Sequence, residues 1–433
     1  MDARELNEEE MMTVTSIRRR SVLAGAGATA LTVAVAGCGG EKASSTGALE
    51  LWLPAPQGNG SVQDEKKVYE DLLAPFVKEH GTPVNLTLTT WDSYEERYLT
   101  GVSSGTGPDV GYMYTEMMGD YVDADAIVPV DEYLSQDARQ RMFFLEEGKF
   151  DGHQYGVPYV VGNARVIWAN QELLKQAGIA ALPTTWDELA EVAGLAHREL
   201  GLPGIVMPWG NQARGMLNEC YFPFMWQAGG EIFTEDGSRT AFNSPEGLEA
   251  AHFINDFLVK ETMPRNVSGL NSDDIETMFL EGRTVFAPGS AAKLPVYAEE
   301  IADLGFIDSL TNATRATFVA NDALVLTKKC PDKELGTALI EHLTAGESME
   351  KFHSDVQHFP PIGSDERPNT DDPFSDTFAE TDMLRGLPIM PRGNAAYNAL
   401  FENLQQMVLG RKTPEQALSD ASASGNAALA AGV

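Results

Sequence analysis

Three histidines, His342, His353 and His358, form the one cluster of that residue type in the chain, with five positions separating the last two. Ligands of a metal ion must converge on a single point, whereas these three alternate with apolar residues in the manner of a packed helix. The acidic run NSDDIETMFLEG (271–282) lacks the oxygen ligands at every second position and the central glycine of a calcium loop. It reads instead as a helix start, with Ser272 as cap and acids in the first turn. Zinc-protease and phosphate-loop motifs are absent, and among 64 acidic residues no carboxylate pair singles itself out for glycoside cleavage.

What remains is a set of aromatic and polar residues at the turns between elements: Trp91, Asp92, Tyr112, Tyr114, Glu116, Asn163, Glu219, Tyr221, Phe222, Trp226 and Tyr397. A sugar ring has apolar C–H faces and a rim of hydroxyls. A site for it stacks Trp or Tyr on the faces and sets Asp, Glu, Asn and Gln around the edge. Taken singly, each of these residues is more often a packing residue than a ligand contact.

The elements that must position them alternate. ALELWLPA (48–55) reads as a buried strand and PVNLTLTTW as a second. Between them VQDEKKVYEDLLAPFVKEHG is helical, with Val68, Leu72, Leu73, Phe76 and Val77 on one face and Gly81 at its end. GPDVGYMYT is a short strand and loop, and YGVPYVVGNARVIWANQ a longer strand. Thr185 with Glu188, and Ser244 with Pro245, open two further helices. Strand and helix in alternation predict a parallel α/β layer. The segment Pro360–Pro373 is charged and proline-rich and reads as a surface loop.

The N-terminus carries an address. Arg18, Arg19 and Arg20 precede a charge-free run of small and apolar residues that stops at Cys38. Basic, apolar and small regions in that order make a secretory signal. Arg19-Arg20-Ser21-Val22-Leu23 resembles a twin-arginine export signal, and Val35-Ala36-Gly37-Cys38 resembles a bacterial lipobox, whose cysteine is acylated. Residues 1–37 are thus expected to be removed, leaving 38–48 as a lipid-anchored tether. The rest is long enough for two domains. A net charge of −33 argues against nucleic acid or an anionic lipid surface as partner. Cys220 and Cys330 are expected to be two buried thiols.

As a whole, the chain from Leu49 onward resembles the extracellular solute-binding proteins of ABC importers, in their sugar-binding branch. GPDVGYMY, YGVPYVVGNARVIWANQELLKQAGI, PTTWDELAEVA, WQAGGEIF, MFLEGRTVFAPGS and GRKTPEQALSDA resemble blocks of that family in the family's order. The resemblance implies an α/β, two-lobe, periplasmic-binding-protein-like fold with three hinge crossings, near Val157–Val161, Arg315–Val319 and His358–Pro361. The expected organisation is lobe 1 at 49–158, lobe 2 at 159–315, a lobe 1 return at 316–358, and a lobe 2 return with C-terminal helices at 359–433. Carried over by position, it implies ligand contacts from Gln57, Tyr114, Glu116, Asn163, Glu219, Tyr221, Phe222, Ser290 and Tyr397; Trp91, Asp92 and Asn321 are further expected contacts. It implies no catalysis, no cofactor, a monomer at the outer face of the cell membrane, and a membrane permease as partner. Two departures, Ser290 where the family's maltose binders carry tryptophan and Pro54–Gln57 in place of a charged first loop, weaken the case for maltose itself. Arg165, Arg214 and Arg392 leave a glycerol phosphate ester as the other ligand class, and a secreted carbohydrate hydrolase as the other kind of protein.

Overall fold

The computed structural model describes residues 47–55, 62–90, 93–210, 214–355, 359–367 and 373–431. The export signal, Cys38, Gln57, Trp91, Asp92 and His358 lie outside the described residues. In chain order the strands are β1 (Leu49–Pro54), β2 (Val84–Thr89), β3 (Val110–Tyr114), β4 (Ile127–Val128), β5 (Lys149–Phe150), β6 (His153–Gln154), β7 (Gly156–Gly162), β8 (Arg165–Asn170), β9 (Phe286–Ser290), β10 (Leu304–Ile307), β11 (Thr317–Phe318), β12 (Ala320–Thr327) and β13 (Leu384–Arg385).

The first sheet runs β2-β1-β3-β12-β4, with β7 also paired to β12. Its β1, β2 and β3 are parallel, joined through helices Val62–His80 and Tyr94–Ser104, whereas β12 runs against β3, β4 and β7. Leu51, Leu53, Val110, Leu324 and Leu326 are fully buried in it, with Phe76 and Tyr98 from the covering helices. The second sheet is antiparallel, β10-β8-β9, and supports a separate core around Trp168, Trp209, Phe224 and Phe286. Two apolar cores, each with its own sheet, define a two-lobe α/β molecule.

Local chemistry explains most element ends. Gly81 closes its helix at φ 66° with its N–H on Val77 O. Thr185 and Ser244 accept the backbone N–H of Glu188 and Gly247, as capping requires. The run 271–282 begins one residue earlier than expected. Asn271, not Ser272, is the cap, because its amide oxygen takes Asp274 N while the Asp274 carboxylate returns to Asn271 N, completing a capping box. Pro360–Pro373 is not wholly superficial either: Ile362 is fully buried and Glu366 nearly so, since Glu366 binds Ile362 N and His353.

The expected long strand from Tyr155 to Gln171 is divided. β7 belongs to the first sheet and β8 to the second, and the break falls at Gly162 (φ 124°) and Asn163 (φ 48°). Two consecutive positive φ values turn the chain from one lobe to the other. Val319, between β11 and β12, lies alongside, and Ala320, which opens β12, is in register with Gly162. Phe359 and Ile362 pack in the first core and Phe374 in the second, so the chain passes between lobes a third time. A separate junction forms where helix Gly393–Val408 begins. Arg392 N binds Asp120 at 2.6 Å, the Arg392 guanidinium spans both Asp123 oxygens at 3.0 and 3.1 Å, and Asn394 reaches Asp120 at 2.7 Å. There the Met390 backbone presses on helix Thr115–Asp123 so closely that a Cβ at Gly119 would stand 2.3 Å from its carbonyl.

A methyl group at position 162 would meet Pro360 Cδ at 2.7 Å in a backbone conformation that side chains avoid. Gly162→Ala is expected to cost about 1–3 kcal/mol in urea unfolding. An unchanged midpoint would show that the crossing relaxes freely.

Candidate functional site

Arg165 opens β8 two residues past the turn, and three segments converge on it: helix Leu217–Cys220, the turn itself and β11. Its Nε stands 3.1 Å from the Glu219 carboxylate on helix Leu217–Cys220, with both side chains largely buried. Its Nη1 donates to Asn163 O at 2.8 Å, and its guanidinium lies over the Phe318 ring of β11 at 5.2 Å. Its backbone oxygen accepts the Thr317 hydroxyl. A buried pair of this kind survives because each charge has its counter-charge beside it, with the guanidinium further tied to Asn163 O. Burial raises the Glu219 carboxyl above the usual range, while Arg165 and then Lys293 pull it back. A space of about 20 Å³ beside Arg165, Glu219, Asp308 and Thr317 is the size of a single water site.

Around this pair the second lobe presents more polar groups. Asn163, held left-handed, accepts the Ser290 hydroxyl on its side-chain oxygen, and Ser290 in turn caps Ala292 N at 3.1 Å. Lys293, just beyond, binds Glu276 at 2.8 Å. From the first lobe comes an acidic wall. Glu116 stands in the first turn of helix Thr115–Asp123, Tyr114 at the end of β3 gives its hydroxyl to Glu95, and Asp322 on β12 receives the Tyr112 hydroxyl. Burial and the neighbouring Glu116 carboxylate lift Asp322 from 3.8 to about 8, against the opposing pulls of the Tyr112 hydrogen bond and Arg165. Arg165 and Asp322 thus sense each other across the crossings.

Among the described residues expected to contact ligand, Asn163, Glu219 and Ser290 gather around Arg165. Tyr114 and Glu116 stand at the strand ends of the first sheet, and Asn321 sits on β12 opposite Val161. Tyr221, Phe222 and Tyr397 are placed elsewhere, within the second core. Tyr221 spends its hydroxyl on Gly247 O at 2.9 Å, and Phe222 packs between Trp226 and Tyr397 with ring centres 5.6 and 5.9 Å away. Sequence reasoning weighed Arg165 only as a phosphate donor and passed over Asp322, Lys293 and Glu276. Asp322 had a signal, a carboxylate inside the apolar strand ANDALVLT; the other two had none. A cavity of about 840 Å³ lies apart from this cluster, between helices Tyr94–Ser104 and Thr115–Asp123, and is lined by Glu95 together with Asp120 and Asn394 of the Arg392 junction.

A two-lobe α/β molecule with its polar residues at the crossings is the architecture of a binding protein. The chain belongs to the bacterial extracellular solute-binding protein family, whose model matches residues 59–350. Among relatives, a binding protein of Brucella abortus is 24% identical over 376 residues, 83% of this chain and 89% of the relative. The diacetylchitobiose-binding protein of Streptomyces coelicolor is 23% identical over 279 residues, 61% of this chain and 62% of that one. Among solved structures, an ABC-transporter solute-binding protein of Thermotoga lettingae bound to α-D-tagatose has a TM-score of 0.75 at 22% identity, covering 88% of this chain and 100% of that one. The family is one of solute-binding proteins, and among the described residues no helix is long and apolar enough to cross a membrane.

Asp322 yields a stability test. Its folded value lies above the unfolded one, so its contribution is fully favourable below about 4 and is lost as pH rises toward about 8. Urea unfolding at several pH values should show Asp322→Asn gaining on the wild type across that window. Parallel pH profiles for the two proteins would refute the assignment.

Proposed function

We propose that the protein is a lipid-anchored receptor that captures a carbohydrate between its two lobes and hands it to an ABC permease, without making or breaking a covalent bond. The observation that carries this reading is the polar ring of Asn163, Arg165, Glu219 and Ser290 set opposite Glu116 and Asp322, at the place where the chain crosses between lobes. Hydroxyl groups donate to carboxylates and accept from guanidinium, so such a ring suits a polyol edge, and charge-assisted bonds of this type are the strong ones. Tyr114, Asn321 and, beyond the described residues, Gln57, Trp91 and Asp92 would complete the contacts. Relatives whose names specify diacetylchitobiose and maltotriose support the ligand class.

The sequence bounds, 49–158 with 316–358 and 159–315 with 359–433, shift so that Tyr159–Val161 and Phe359–Ile362 fall with the first core and Phe318 with the second. The lobes would rotate about the crossings, with Cys38 acylated to hold the monomer at the outer face of the cell membrane. A phosphate ester is less well supported. Arg165 is already committed to Glu219 and Lys293 to Glu276, which leaves neither cation free for a phosphate.

The direct test is thermal unfolding of a fragment beginning after Cys38, against mono-, di- and oligosaccharides with glycerol phosphate and amino acids alongside. A ligand at about a hundred times its dissociation constant should add about 2.7 kcal/mol of stability. Stabilisation by glycerol phosphate alone would reverse the ligand assignment, and no response to any compound would count against a receptor for small solutes.

A further inference from the structure

The Arg165 arrangement is repeated next door. Arg385 on β13 lies over the Trp226 indole at 5.4 Å, and its Nη2 reaches both oxygens of Glu231 at 2.9 and 2.7 Å. Glu219, Arg165 and Phe318 form one stack of carboxylate, guanidinium and ring; Glu231, Arg385 and Trp226 form another. The two are coupled by backbone, because Phe318 and Arg385 are register partners in the parallel pair β11–β13, and Val319 N donates to Arg385 O at 3.0 Å. Neighbouring strands stand about 5 Å apart. Gly386 follows directly, and a Cβ there would meet Asn321 Cβ at 3.8 Å, which sets the second stack against the crossing as well.

The two stacks differ in exposure. Arg165 is mostly covered, whereas the Arg385 and Glu231 side chains are 37% and 58% exposed. A surface ion pair alone contributes little to stability. Here the guanidinium is oriented from below by an aromatic face and from one side by a carboxylate through Nη2, and the side chain stays partly exposed. Preoriented donors beside exposed acceptor oxygens are what a ring of hydroxyls requires, and little side-chain entropy is left to lose on binding.

We propose that Arg385 and Glu231, seated on Trp226, form a second saccharide subsite adjoining the one at Arg165, and that the ligand is therefore an uncharged saccharide of two or more units. This rests on the carbohydrate reading above. Arg385 is assigned to specificity for length.

The experiment is calorimetric titration of the soluble fragment with glucose, maltose and maltotriose, and with N-acetylglucosamine and diacetylchitobiose. It uses the wild type, Arg385→Ala, Arg385→Lys and Glu231→Gln, with melting temperatures measured in parallel. The wild type should prefer the longer member of the series it binds. Arg385→Ala should weaken that member by about tenfold or more, the loss expected for a charge-assisted hydrogen bond, while leaving monosaccharide affinity unchanged. Arg385→Lys, which keeps the charge but not the fork, should fall between them. Equal losses for all lengths, or none, with sugar still bound by the wild type, would overturn the subsite and leave the carbohydrate reading standing. Binding of neither series by the wild type would count against both.

Discussion

The turn at Gly162 and Asn163 is the constraint on which the rest depends. Two successive positive φ angles end β7 in one sheet and start β8 in the other, so a single apolar run serves both cores. That turn also delivers Asn163 and Arg165 to the same side of the second lobe, where Ser290, Glu219 and Phe318 meet them. Asn163 is the residue type that tolerates the left-handed region best after glycine, because its short amide finds local hydrogen bonds there. Here the bond comes from a distant hydroxyl. The backbone conformation that makes the crossing and the polar cluster at its foot are thus one structure.

The cluster balances costs that would be large separately. An isolated carboxylate in the position of Glu219 would be driven neutral, and an unpaired Arg165 would be pushed outward toward water. Together, with a ring beneath the guanidinium and a carbonyl at its edge, each offsets part of the other's cost, although burial still leaves the Glu219 carboxyl above its usual range. Asp322 has been left on the other branch of this choice. It faces a hydroxyl and another carboxylate, and burial holds its proton to about 8.

What the sequence made legible follows the range of the interactions concerned. Strands Leu49–Pro54 and Val84–Thr89, the helix closed by Gly81, and the caps at Thr185 and Ser244 are set by neighbours within a few residues, and pattern reading finds them. Even the shift from Ser272 to Asn271 is a choice between adjacent capping groups. The division of Tyr155–Gln171 was hidden because both halves are apolar, so hydrophobic periodicity carries straight through the turn. The Arg165–Glu219 pair has no local signature at all, since its partners approach through two sheets and a helix. Loop aromatics such as Tyr221 and Phe222 illustrate the converse, where composition at a turn does not say whether a ring faces inward.

The contact of Met390 with Gly119, together with Arg392 spanning Asp123, places a second fixed bearing on the first lobe, apart from the Gly162 crossing. Two bearings define a line. A body held at one point can swivel and twist in every direction, but one held at two can only swing about the axis that joins them. If the lobes move, their path is a single arc, so the opposing polar faces would arrive in one register on every closure, and the search for alignment would already be complete before a solute arrives.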